Sequence, residues 1–297
     1  MSLQLAEAAR DLPLSQPRRQ WAPEPKFDGW RAALFVVDGV LQSRRENNLA
    51  DRFPEIMELG PVLGDVVVDG EVVALRAGRL DFAALASRPQ ARVAAGVTIY
   101  YVVFDLLADD RTDGRRQPYR ARRERLGDLL ADVDPPLQLA PSTINRETAL
   151  GWMRPDVSAV GIEGVVAKPV DGPYRAGRTG GWVKIRQMAI VDAVVVGVTG
   201  DPAHPLEVVL GRRDPAGELH RIGLSMPLTS ALRDQVGAHV RVTGEPAVRV
   251  PTGGFGRGQT EYLPTVPELV VEVEAEASIE TFTNRLRPRV YRLRAEN

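Results

Sequence analysis

Val97-Thr98-Ile99-Tyr100-Tyr101-Val102-Val103-Phe104 is an uncharged run of β-branched and aromatic residues, and it constrains the fold more than any other stretch. Such residues suit a pleated surface covered on both faces and fit a helix poorly. The chain must therefore build a sheet around this segment. Residues 31–37 and 40–44 read as two further strands joined at Asp38-Gly39, a pair that favours a tight hairpin turn. Residues 66–75 are β-rich, with Asp69-Gly70 as a turn or a bulge within them. Residues 163–168 and 182–186 read as strands linked by a glycine-rich segment over 171–181. Helices are few. Residues 119–133 form the strongest, with Leu126, Leu129, Leu130 and Val133 on one stripe. Shorter helices are expected over 51–59, from an Asp81 cap to Ser87, and over 146–153. Residues 1–20 read as an irregular lead-in broken by Pro13 and Pro17.

The texture changes after Gln187. Residues 190–198, 206–213, 218–223 and 268–275 are β-rich with Pro and Gly between them, and a helix is expected near 228–238. Several short strands separated by turns point to a small barrel. The boundary divides the chain into 1–188 and 189–297.

Composition removes several chemistries. There is no cysteine, hence no disulfide framework, thiolate zinc site or cysteine nucleophile. The three histidines are His204, His220 and His239, all in the last third. A Ser-His-Asp triad or a His-x-x-x-His zinc site cannot form in the first two thirds unless the C-terminal part supplies it. Chemistry there must rest on lysine, carboxylates, arginine and any bound metal. The first 20 residues carry Glu7, Arg10, Asp11, Arg18 and Arg19 and do not read as a signal peptide; no membrane span is expected either. The absence of cysteine fits a reducing compartment, and the expected location is cytoplasmic. A net charge of −1 does not announce a nucleic-acid binder. Locally, Arg115, Arg116, Arg120, Arg122, Arg123 and Arg125 cluster, as do Arg285, Arg287, Arg289, Arg292 and Arg294. Such clusters follow a phosphate backbone or form solvated faces.

Only three of the 38 basic residues are lysine: Lys26, Lys168 and Lys184. Arginine keeps its proton and is no nucleophile, whereas a lysine amine can lose its proton and attack an electrophile. Lys26 lies in Glu24-Pro25-Lys26-Phe27-Asp28-Gly29-Trp30-Arg31 and is the first candidate for covalent chemistry. Further segments follow in order. Ser43-Arg44 precedes Phe53-Pro54-Glu55, then come Asp69-Gly70-Glu71 and Phe104-Asp105. Glu163-Gly164-Val165-Val166-Ala167-Lys168 and Trp182-Val183-Lys184-Ile185-Arg186 complete the set. This ordered set resembles the motifs of the covalent nucleotidyltransferases, above all the ATP-dependent DNA ligases of the short bacterial type. The resemblance covers about residues 20–297.

The resemblance implies an α+β fold: an antiparallel-sheet nucleotidyltransferase domain over 1–188, then a small all-β OB-fold barrel of five strands over 189–297. It implies that Lys26 attacks the α-phosphorus of ATP, expels pyrophosphate and carries AMP. AMP then passes to the 5′-phosphate of a nick in double-stranded DNA, and the 3′-hydroxyl displaces it. Asp28 and Arg31 join Lys26 as catalytic residues. Glu71 and Glu163 stand at the positions that hold Mg²⁺, with Mn²⁺ as the alternative ion. Lys168 and Lys184 are implied to contact the α-phosphate, Phe104 to stack on adenine and Glu24 to read the adenine edge. Arg44 and Trp182 belong to the same nucleotide-binding set, although Glu46-Asn47 stands where the family has Asn-Gly. The tail 285–294 resembles the last ligase motif in a disturbed order, with Arg285 and Arg294 as its matching cations. A monomer, a DNA-repair partner protein and weak, strongly salt-dependent nick binding are further expectations. Two other readings stay open: a guanylyltransferase of the mRNA-capping type or an RNA ligase of the same superfamily, and a non-catalytic nick-binding module.

Overall fold

In the computed structural model, residues 98–104 fall within the long strand Thr98–Asp109, with Val97 just before it, and other strands flank it on both edges. The structure describes residues 1–154, 157, 160–178, 181–213, 217–251, 258–276 and 287–294. The fold is α+β and divides into two compact units, 1–187 and 188–297. In chain order the first unit contains β1 (Glu7–Ala9), β2 (Trp21–Phe27), β3 (Trp30–Phe35), β4 (Val40–Ser43), α1 (Pro54–Leu59), β5 (Val66–Arg76) and β6 (Arg79–Leu80). It continues with α2 (Pro89–Ala94), β7 (Thr98–Asp109), β8 (Thr112–Asp113), α3 (Tyr119–Leu130), β9 (Leu137–Leu139), α4 (Arg146–Gly151), β10 (Ile162–Pro169) and β11 (Val183–Arg186).

These strands form two sheets. One has the order β4-β3-β5-β7-β8, with β6 on β5 and β9 on β7; the other has the order β1-β11-β10-β2. The alternating residues Ile99, Tyr101 and Val103 of β7 enter a core with Leu34, Val68 and Leu126. Leu130 is buried in the same core, and Leu129 and Val133 pack against it, as the expected stripe requires. The helix itself stops at Leu130.

Local signals predicted most elements and missed others. The Asp81 carboxylate accepts the Ala84 N–H at 3.1 Å and caps the short 3₁₀ turn Phe82–Ala86. The Asp38-Gly39 connection is longer than a two-residue turn. Residues 36–39 make it, and Gly39 takes the positive φ of 63°. Asp69-Gly70 lies inside a continuous β5, where the register against β7 slips: Asp69 faces Asp105 and Gly70 faces Val103. Phe104 is thus the extra residue of a bulge.

The lead-in is only partly irregular. Glu7–Ala9 pairs in parallel with β11, and Gln4 bridges Gly177. The arginine cluster on α3 is largely paired. Arg122 binds Asp105, Arg125 binds Asp109 and Arg120 binds Asp171, which leaves less charge for a phosphate backbone than a count of arginines implies.

The second unit contains β12 (Met188–Thr199), β13 (Glu207–Arg213), β14 (Leu219–Leu224), α5 (Ser230–His239), β15 (Val248–Pro251), β16 (Gln259–Pro264), β17 (Val270–Glu276) and β18 (Arg289–Leu293). Its sheet has seven strands, not the expected five. The long β12 pairs with β13, β16 and β17, and β17 pairs with β18. Strands β15, β16 and β18 span only four to six residues each, too short for a clear periodic signal in the sequence. Val195, Val198, Val208, Val236, Val271 and Val273 centre the core. No helix among the described residues is long and apolar enough to cross a membrane.

Candidate functional site

The site is a cleft of about 300 Å³ in the first unit. Strand alternation places its side chains. On β2, Glu24 and Lys26 are two residues apart and share a face. On β10, Val166 lies opposite Glu24 and Lys168 opposite Ala22; on β11, Lys184 lies opposite Val166 and Arg186 opposite Gly164. Glu24, Lys26, Val166, Lys168, Lys184 and Arg186 all line the cleft. The intervening Val165, Ala167 and Ile185 turn away into a separate core cluster.

Glu163 breaks the alternation of β10. The register against β2 shifts between Ile162 and Gly164, and Gly164 adopts a φ of +145°. This irregularity turns Glu163 towards Lys26, whose Nζ donates to Glu163 Oε2. Glu163 is almost fully covered, whereas the Lys26 side chain retains 21% exposure. The nucleophile candidate therefore reaches the cleft with a carboxylate behind it.

The other sheet supplies the opposite wall. Only Asp28 and Gly29 separate β2 from β3. A Cβ on Gly29 would meet the Val72 carbonyl oxygen and lie 2.7 Å from Glu71 Cγ, so glycine is needed there for close approach. Glu71 faces Arg31 across the β3–β5 pairing. Burial pushes the Glu71 carboxyl up to about 8; Lys26 and Arg31 offset part of this, while Glu163 and Asp28 add to it. Asp28 does not line the cleft surface. It stands close enough to act on Glu71, and its backbone N–H donates to Gly161 O at 3.2 Å.

A pH dependence follows. A folded-state pKa above the ordinary carboxylate value means that the folded chain holds the proton longer. Stability from this group is full below about pH 4.5 and is lost as pH rises towards 8. Glu71→Gln removes that slope. In chelator, the melting temperature of the variant relative to the parent is expected to rise by about 3 °C or more between pH 5.5 and 8.5. Glu71 keeps partial solvent access, which moderates the effect. A difference that stays flat across this range rejects the shift.

Arg31 sits at the cleft with its guanidinium committed. Its NH2 and Nε meet Asp69 at 2.6 and 3.1 Å, and its NH1 donates to Gln4 O at 2.5 Å. Tyr174 donates to the same Asp69 carboxylate at 2.7 Å. Burial works against the Arg31 charge, but Asp69, Tyr174 and Glu71 outweigh it and raise its pKa. Arg31 therefore braces the floor of the cleft. The lead-in residues Leu5 and Ala6 line the cleft beside it.

The cleft gathers cations and rings. Lys26, Arg44, Arg178, Lys184 and Arg186 all line it. Burial first, then the charges of Arg186, Lys26, Arg178 and Arg44, hold the Lys184 ammonium below its ordinary pKa. Positive groups forced together in this way suit a polyanion. Phe104 and Trp182 line the same cleft, packed edge to face at 6.0 Å between centroids.

Lys168 lines the cleft but is only 1% exposed. Its Nζ contacts Glu24 Oε2 at 2.7 Å and donates to the bulge carbonyl of Phe104 at 2.8 Å. Arg186, which was not among the expected site residues, also lines the cleft. The alternation in Trp182-Val183-Lys184-Ile185-Arg186 already places Trp182, Lys184 and Arg186 on one face. Tyr119 and Arg178 were missed because no local pattern ties them to Lys26. Of the tail residues, Arg285 lies outside the described residues, and Arg294 pairs with Asp192 within the second unit. Among the described residues no group of three or more acidic or histidine side chains is arranged to hold a metal.

A family model described as the ATP dependent DNA ligase domain matches residues 4–186. DNA ligase C1 of Mycolicibacterium smegmatis is 32% identical over 276 residues, covering 85% of this chain and 77% of that protein. DNA ligase C2 of the same organism is 33% identical over 216 residues, covering 68% of this chain; the match spans 60% of that protein's length. Among solved structures, the ligase domain of M. tuberculosis LigD superposes with a TM-score of 0.56 at 25% identity, covering 99% of this chain and 94% of that one. A mycobacterial DNA ligase D complexed with ATP and MES gives 0.55 at 25% identity, covering 100% of this chain and 95% of that one.

Proposed function

The chain belongs to the ATP-dependent DNA ligase family, and we propose that it seals nicks in duplex DNA through a lysyl-AMP intermediate. One observation carries this reading. A partly exposed amine, Lys26 Nζ, stands in a cleft lined by further cations and by aromatic rings and is held by a buried carboxylate.

In this reading ATP enters with its base against Phe104 and Trp182 and its phosphates against Lys184, Arg186, Arg178 and Arg44. Guanidinium forks and an ammonium neutralise the charge that builds up as pyrophosphate leaves. Lys26 Nζ loses a proton to solvent at its exposed side, the neutral amine forms a bond to the α-phosphorus, and the bond to pyrophosphate breaks, releasing it as the anion. Glu163 Oε2 holds the nitrogen in place until then. AMP next moves to a 5′-phosphate, and the neighbouring 3′-hydroxyl displaces it, closing the backbone.

The donor set fits Mg²⁺. Glu71 lies near enough to Glu163 to feel its charge, and two carboxylates with substrate oxygens and water satisfy this ion without a full protein cage. Glu71 and Glu163 would hold it, and when bound it would neutralise charge at the transferring phosphate. The first unit is the adenylation domain in this scheme and the second an OB-fold domain. The family reading extends to a monomer in the cytoplasm, brought to nicks by a repair partner.

The test is the intact mass of the full chain after incubation with ATP and Mg²⁺, followed by addition of a labelled nicked duplex. The expected result is a gain of one AMP, then a sealed strand. An adduct formed with GTP alone points to a guanylyltransferase, and no adduct with either nucleotide removes the reading.

A further inference from the structure

We propose that a groove at the edge of β7 takes an extended, apolar segment of a partner protein that carries lysine or arginine. The groove has a volume of about 410 Å³ and shares no lining residue with the cleft. Residues of α1, α2, the start of β7 and the Pro135-Pro136 turn enclose it.

Its floor is a gap in a sheet edge. On the side of β7 away from β5, alternate residues present their backbone groups. Val97 donates to Arg92 O at 2.9 Å, and Tyr101 donates to Pro136 O at 2.7 Å. Ile99 lies between them and turns its N–H and C=O the same way. Tyr101 faces Leu137, so Pro135 stands opposite Ile99 and Pro136 follows where β9 would have to donate. Proline has no N–H to give the Ile99 carbonyl. Among the described residues neither backbone group of Ile99 finds a partner. One rung of the ladder is missing there, and a guest strand supplies it.

The walls choose the guest. Val93 of α2 lines the groove and is 78% exposed, an apolar surface that a guest's apolar side chain would cover. Pro54 and Pro89 add apolar wall without an N–H that would compete for the guest's carbonyls. Among the described residues, the charged side chains lining the groove are Glu55 and Glu58, with no cation. Glu55 already meets the buried Arg92 at 3.1 Å. Glu58 is exposed and has no ion-pair partner among the described residues. A lysine or arginine beside the apolar anchor complements this charge, and an acidic segment is repelled. The same two carboxylates disfavour a phosphate backbone, so the guest is a peptide and not a nucleic acid.

The test presents the full chain to a display library of random linear peptides. The expected peptides place Lys or Arg beside Val, Ile or Leu. The most enriched one is then synthesised with a fluorescent label and titrated by anisotropy. Val93→Asp is expected to weaken its binding about tenfold or more, since an apolar guest would then cover an unpaired carboxylate. Glu58→Lys is expected to weaken it about fivefold, with a smaller effect in high salt. Both side chains are exposed, so both variants should melt within about 2 °C of the parent. Methylating the peptide's backbone nitrogens one at a time should cost about fivefold or more at the position that donates to Ile99 O, and little at its neighbours. An empty selection, enrichment of acidic peptides, binding unchanged in both variants or a methyl scan with no sensitive position each overturns the proposal. If the variants alter nick binding and leave the peptide untouched, the surface belongs to DNA and the proposal fails.

Discussion

Lys26→Arg is expected to leave the charge of the cleft unchanged and to abolish the chemistry. The guanidinium can still face Glu163 and join the other cations of the cleft, Lys184, Arg186, Arg178 and Arg44. It cannot act as a nucleophile, because it holds its proton and its lone pairs are delocalised. The AMP adduct should be absent from the intact mass. Sealing driven by ATP should fall by about 10⁴-fold or more, because a missing covalent step is not replaced by better binding. Lys26→Ala should match it, which separates loss of the nucleophile from loss of the charge. A nick that already carries a 5′-adenylate needs no lysine attack, so both variants should still close it at a measurable rate. An AMP adduct on either variant would place the nucleophile elsewhere and end the mechanism as written.

Gly164→Ala should be the most damaging small change in the first unit. At a φ of +145° a side chain is strained before any contact is considered. A Cβ there would also run into the Ile185 carbonyl oxygen and lie 2.9 Å from Arg186 Cα, both of them backbone that cannot step aside. Strain and clash together should cost about 3 kcal/mol or more. The effect on activity should exceed the effect on stability. The same residue turns Glu163 towards Lys26 and backs the strand that carries Lys184 and Arg186. Adenylation is expected to drop by about 100-fold or more even at temperatures where the variant stays folded. Gly39→Ala is the control. It has a positive φ of 63° but nothing within 4 Å of the added carbon. It should cost about 1 kcal/mol and leave adenylation intact. A Gly164→Ala variant as active as the control would mean that the β10 irregularity does not aim Glu163.

Much of this site was legible in the sequence because its chemistry is carried by scarce residue types. Three lysines among many arginines mark Lys26, and the ordered motifs that resemble the ligases then group Lys168 and Lys184 with it. Asp81 was readable as a cap because capping depends on residues three apart. What stayed hidden depends on partners far away in the chain. Nothing near Lys168 indicates that its ammonium ends on Glu24, 144 positions earlier, beneath a ring from α3. Nothing in Glu7-Ala8-Ala9 suggests a strand, since pairing with β11, not propensity, makes it one. Phe104 was expected to stack on adenine from motif position alone. That it is the odd residue of a bulge, with its carbonyl free for Lys168, follows from a register that only the folded sheet reveals.

The two-residue link between β2 and β3 has a consequence for engineering. Lys26 and Glu163 belong to one leaf of the molecule, Glu71, Arg31 and Phe104 to the other, and Asp28-Gly29 is the binding that joins the pages. A spine that short leaves no slack, so an insertion of even one residue there would misalign both halves of the chemistry at once. Attempts to broaden the nucleotides accepted should therefore redecorate the cleft wall and leave that stitch untouched.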